Sequence, residues 1–160
     1  VCGTTDLRDN GWHHIAVQRR RSDGRLWIFV DGREEASGYG PRGDISYPDR
    51  GICGAPETCG DSDHYIVLGA EKHNLAAGFS GWVDEMRLSA TLRYPPAAVP
   101  DGPFEVDDRT VALYRFDEGE GDVIVDSSPG GVSVGVRRFG QGGGYSPGPD
   151  WSEESPFTGD

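Results

Sequence analysis

Residues 11–32 read Gly11-Trp-His-His-Ile-Ala-Val-Gln-Arg-Arg-Arg-Ser-Asp-Gly-Arg-Leu-Trp-Ile-Phe-Val-Asp-Gly32. Two apolar, strand-like runs are hinged at Ser22-Asp23-Gly24 and closed by Asp31-Gly32, turn chemistry that predicts a β-hairpin. In the second run Leu26, Ile28 and Val30 point one way and Trp27 and Phe29 the other, so both faces are apolar. A strand of that kind needs cover on both sides, as in the middle of a sandwich. In the first run, Trp12 to Arg19, the alternation places Ile15 and Val17 together on one face. The run Arg19-Arg20-Arg21 before the turn reads as a solvated strand end.

Outward from the hairpin the pattern stays β. Residues 36–64 form a long insertion rich in Gly, Pro, Ser and Asp, of the length that is often functional. Tyr65 to Gly69 predicts a third strand and Gly81 to Ser89 a fourth, in which Trp82, Asp84, Met86 and Leu88 share a buried face. Asp84 then sits at a core edge, where a carboxylate needs hydrogen bonds, an arginine or a metal. A Pro-rich linker over 95–106 cannot continue a helix or a central strand. Thr110 to Gly119 predicts a fifth strand, and Val123 to Val125 and Val132 to Phe139 two shorter ones. No stretch sustains a 3.6-residue period, and the chain is predicted all-β.

A chain of 160 residues fits one domain, although 25 Gly and 11 Pro send much of it into turns. The formal charge of −12 is uneven, because residues 101–160 carry 13 acidic and 4 basic side chains. Such a surface repels phosphate backbones and anionic lipids, so nucleic acid is not an expected partner. Apolar runs are all too short for membrane insertion. Cys53 and Cys59 lie close together in a Gly/Pro-rich loop, and a disulfide between them would restrain it and place the protein in an oxidising compartment. Cys2 is then the odd cysteine, able to pair with an upstream or external thiol.

The Trp12-His13-His14-Ile15-Ala16-Val17 run with its Asp31-Gly32 ending, followed by Gly81-Trp-Val-Asp-Glu-Met-Arg87, resembles the signature of laminin-G-like modules of the pentraxin and concanavalin-A type. Gly69-Ala-Glu-Lys-His73 and Arg93-Tyr94 add to the likeness, which covers 11–33, 65–94 and 107–128. It implies an antiparallel β-sandwich, a concanavalin-A-like jelly roll, in a secreted or cell-surface protein. Residues 1–94 would be the C-terminal portion of the roll and 107–160 a β extension on the same sandwich. One element is out of order. Phe116-Asp-Glu-Gly-Glu-Gly-Asp-Val-Ile-Val-Asp-Ser-Ser128 resembles the opening of such modules, yet it follows the closing strand. A C-terminal extension, a fragment across two tandem modules and a permuted domain all fit; the first is preferred. It implies that the N-terminal strands of the roll lie upstream of Val1, or that a neighbouring subunit completes the sandwich.

The same resemblance implies a lectin-like binding or cell-adhesion role, without catalysis, towards carbohydrate or another extracellular protein. Tyr39, Tyr47 and Tyr145 in Gly/Pro-rich segments are the aromatics that could stack on sugar rings, whereas Trp12, Trp27 and Trp82 are assigned to the core. Related modules often hold calcium through oxygen ligands. Asp117, Glu118, Asp122 and Asp126, with Asp84 nearby, are the candidate ligands here. Jelly-roll glucanases place catalytic carboxylates in a Glu-x-Asp-x-x-Glu strand. That pattern is absent, and a glycoside hydrolase is disfavoured. Adjacent His13 and His14 face opposite ways on a strand and are read as structural. Arg42-Gly43-Asp44 has the form of an adhesion tripeptide, a pattern short enough to recur by chance. The rival reading is a structural assembly subunit of a fibre or coat, pairing through edge strands and tail.

Overall fold

The structure, a computed structural model, describes residues 1–45, 66–70, 78–94, 99–137 and 149–157. Its strands are β1 Ile15–Arg19, β2 Arg25–Val30, β3 Arg33–Tyr39, β4 Met86–Ser89, β5 Thr110–Tyr114, β6 Val123–Ile124 and β7 Gly135–Val136. Among the described residues there is no helix, and the chain is all-β. Every pairing is antiparallel: a β1-β2-β3 meander and the two-stranded sheets β4-β5 and β6-β7.

The turns explain the meander. Asp31 and Gly32 both take positive φ, 48° and 74°, as a two-residue turn between the paired Val30 and Arg33 requires. At the other turn Gly24 also has positive φ, and a Cβ there would come within 2.3 Å of the Gly40 carbonyl oxygen. Glycine alone allows that approach, and the Gly40 amide donates to the Gly24 carbonyl at 2.9 Å. A bulge opposite Ile28 and Phe29 inserts Glu35 into β3. Its carboxylate accepts bonds of 2.8–3.0 Å from the amides and hydroxyls of Thr4 and Thr5 and so ties the N-terminal segment to the edge strand.

Several elements differ from the sequence reading. β3 runs through Tyr39, into what reads as insertion, because its Glu-Glu-Ala-Ser-Gly stretch has little strand propensity and is placed by the turn and by its partner β2. β1 turns Ile15 and Val17 outward, 54% and 68% exposed, and faces inward with Ala16 and Gln18. The period-2 alternation holds, but the packed face is the one whose small and amide side chains fit beneath Phe29 and Tyr94. Ile66 to Gly69 form no strand, and β4 begins only at Met86. Glu85 stands at φ 51°, outside the strand region, so Trp82 lies beyond the ladder and is 57% exposed instead of buried. Trp12 is likewise exposed, and Trp27 is half-buried.

Among the described residues, Ala16, Phe29, Val30, Ala112 and Leu113 are the buried apolar ones. The meander meets the later segments at Tyr94, through the Phe29 ring, the His14 imidazole and the Gln18 side-chain amide. Gln18 Oε1 accepts from the amides of Arg93 and Tyr94 at 2.6 and 2.9 Å, and its Nε2 donates to the Tyr94 carbonyl at 2.9 Å. Arg93 in turn grips Asp107 with two bonds of 2.6–2.7 Å and Ser89 Oγ at 2.6 Å. Arg115 reaches Glu85 and the Phe104 carbonyl, both at 2.9 Å, and so fixes 99–105 against the strands.

Candidate binding site

Strand alternation sets Arg25, Trp27 and Phe29 on one face of β2, and the register places Tyr39 directly opposite Arg25 and Ser37 opposite Trp27. Phe29 is buried, its ring 6.0 Å from that of Tyr94. Two residues along, Trp27 is half-buried. Trp27 carries two guanidinium groups, Arg25 at 4.9 Å and Arg20 at 5.3 Å from the ring centroid. Contacts of this geometry contribute on the order of 0.5–1 kcal/mol each at exposed positions and orient the planar cation. Tyr39 stands at the rim, 73% exposed.

The two arginines are not equivalent. Arg20 is bound bidentately by Asp23 at 3.0 and 2.6 Å, and this pairing holds the Asp23 carboxyl well below the usual carboxylate range. Arg25 has no carboxylate partner among the described residues. Behind the tip, Arg19 Nη2 donates to the carbonyls of Pro41 and Gly43 at 2.6 and 2.8 Å, and the Gly43 amide donates to the Arg21 carbonyl at 3.0 Å. The Arg42-Gly43-Asp44 tripeptide is therefore folded back on the hairpin, with Asp44 3.7 Å from Arg21. Among the described residues, the carboxylates that pair with the arginines of this tip are Asp23, with Arg20, and Asp44, with Arg21.

The acidic candidates are placed differently. Asp126 is 4% exposed; its Oδ1 accepts from the amides of Leu113 and Ser128 at 3.1 and 2.9 Å, and Oδ2 from that of Ser133 at 3.1 Å. Burial opposes its charge, but the bonds from Ser128, Leu113 and Ser133 prevail and hold the carboxyl at about 2. Glu118 Oε1 accepts from the Val125 amide at 2.8 Å, while its Oε2 is buried without a hydrogen-bond partner. Asp122 pairs with Arg137 at 3.1–3.2 Å, Asp84 accepts from Ser155 Oγ at 2.8 Å, and Asp117 is exposed. Among the described residues no group of three or more His, Cys, Asp or Glu side chains comes together to hold a metal ion. Asp126 and Glu118 thus hold backbone amides and Asp122 an arginine. Tyr47, Tyr145, Cys53 and Cys59 lie outside the described residues, and Cys2 is an exposed free thiol.

The paired histidines do face opposite ways. His13 lies between two carboxylates, Nδ1 at 2.8 Å from Asp31 Oδ2 and Nε2 at 3.0 Å from Asp9 Oδ1, and the hydrogen bonds to Asp31 and then Asp9 raise its pKa. His14 turns inward, Nε2 at 2.9 Å from the Tyr94 hydroxyl, and burial lowers its pKa. Tyr39 was legible as a candidate from its Gly-rich setting. Arg25 and Trp27 were not, although the register that follows from a two-residue Asp31-Gly32 turn brings Tyr39 beside Arg25. Comparison with protein-family models, with curated proteins and with solved structures finds no match to this chain.

Proposed function

We propose that this chain is a non-catalytic binding module of the laminin-G-like, concanavalin-A-like jelly-roll kind, acting outside the cell on carbohydrate or on another extracellular protein. The observation that carries the reading is the open end of the meander, where the exposed Tyr39 ring stands beside Arg25 and Trp27 on one sheet face. A flat aromatic flanked by hydrogen-bond donors suits a sugar, whose apolar ring face stacks while its hydroxyls take the donors. The all-β order of short antiparallel strands supports the jelly roll. Glycan-array binding by the intact protein that is lost in Tyr39→Ala supports the proposal. Equal binding by both proteins removes this site from it.

A second reading, an assembly subunit, is favoured by the outward Ile15 and Val17 on β1, which the described residues leave uncovered. More strands of the same protein or a neighbouring copy would bury that face. Sedimentation that shifts with protein concentration and returns to monomer in Val17→Lys, with no glycan signal, would favour it. Calcium remains a separable part of the proposal. A melting temperature that EDTA leaves unchanged removes the ion.

A further inference from the structure

Resting on that binding reading, we infer that the meander tip takes a sugar bearing a single carboxylate, with Tyr39 stacking on the ring and Arg25 pairing with the acid group. Arg25 and Tyr39 are direct cross-strand partners, so their side chains leave the same sheet face from Cβ atoms about 5 Å apart, close enough for one sugar unit to reach both.

The arginine is prepared for an anion. Arg8, Arg20, Arg93, Arg115 and Arg137 each meet a carboxylate within 3.1 Å, whereas Arg25, like Arg19, Arg33, Arg42 and Arg87, meets none among the described residues, and of these it is the one that rests on the Trp27 ring opposite the exposed Tyr39. The indole fixes the guanidinium plane, so a carboxylate can be taken bidentately with little further ordering. Arg20, on the same ring, is held by Asp23 and leaves Arg25 as the available fork.

Charge decides the ligand's size. The tip is locally basic, but a chain of net −12 repels a long polyanion, whose remote charges meet acidic surface. Screening confines the tip's attraction to about 8 Å at physiological salt, enough for one acid group and its ring. A uronate-type unit, terminal or flanked by neutral sugars, meets both conditions; a densely sulfated or phosphorylated chain does not.

The test is titration of the full chain with a disaccharide of one uronate and one neutral sugar, and with its methyl ester, followed by NMR at the Trp27 indole. The acid form is expected to bind about tenfold more tightly than the ester, a difference of one good charge-assisted contact. Arg25→Gln should abolish that preference, and Tyr39→Ala should weaken both forms, whereas Tyr39→Phe, which keeps the ring, should retain it. A near-unit slope of log affinity against log salt is expected. Equal binding of acid and ester, or a preference that survives Arg25→Gln in a protein with unchanged spectral dispersion, overturns the inference while leaving the general sugar-binding proposal standing. Displacement of the uronate by inorganic phosphate or by a heparin-like polymer with a steep salt dependence overturns it in favour of polyanion binding. Absence of binding by either disaccharide, together with an empty glycan array, overturns both.

Discussion

The meander and the half of the molecule that follows it are held together by different means. In the meander, strands of five to seven residues pair along their length, and backbone ladders do most of the joining. In the later half, ladders of two to four pairs are too short to persist alone. Carboxylates supply what they lack. Asp126 gathers three amides from separate segments, Asp107 takes the Arg109 amide, Thr110 Oγ1 and Arg93, and Glu85 takes the Phe104 amide and Arg115. These three of the 27 acidic residues therefore act as joints of the fold. Among the described residues the most enclosed side chains, Ala112 and Leu113 at 1% and 0% exposure, belong to this polar-stapled half and not to the more aromatic meander.

That contrast can be broken at its strongest point by Leu113→Ala. Removing a fully enclosed side chain should cost about 2–5 kcal/mol, against no more than about 0.5 kcal/mol for Val17→Ala on the open face; urea denaturation compares the two. Next, Asp126→Ala should cost about 3 kcal/mol by leaving buried amides without an acceptor. The same residue gives the later half an acid sensitivity. Its folded pKa lies near 2 against 3.8 for the free group, so it contributes roughly 2 kcal/mol that is complete above pH 3.8 and fades as pH falls towards 2. Thermal melts between pH 5 and pH 2 should show that loss in the parent and not in the variant. Gln18→Ala, which removes three hydrogen bonds between the halves, should cost about 2 kcal/mol. The smallest effect belongs to the meander. His13 is raised above 6.5, so its support is complete below that pH and fades as pH rises through the raised value. An NMR titration of the His13 ring should show the raised midpoint, returning towards 6.5 in Asp31→Asn. A midpoint already at 6.5 in the parent would remove the clasp.

The β class and both turns of the meander were legible because Gly24 and Asp31-Gly32 state their geometry locally. Which face of β1 is buried was not, since Ile15 and Val17 are the more apolar pair and only the distant Tyr94 makes Gln18 an inside residue. The early end of the fourth strand escaped for a similar reason, as nothing in Glu85 announces a left-handed backbone. For the site, the spacing of Asp117, Glu118, Asp122 and Asp126 suggests a shared ion, while their amide and arginine partners lie in segments that spacing does not reach. Tyr39 was visible as a residue; its neighbours became visible only with the β2-β3 register.

Gln18 also has a consequence in time. Its partners lie 75 and 76 positions along the chain, while the β1-β2 turn closes over a handful of residues. Closing the long connection costs roughly 2 kcal/mol more in chain entropy than closing the turn. The meander is thus expected to assemble early, with the Gln18 amide still solvated, and to accept residues 93–94 only near the end of folding. Stopped-flow measurements on Gln18→Ala should then show faster unfolding with an almost unchanged folding rate. The side chain that joins the two halves would set how long the native state lasts and not how quickly it is reached.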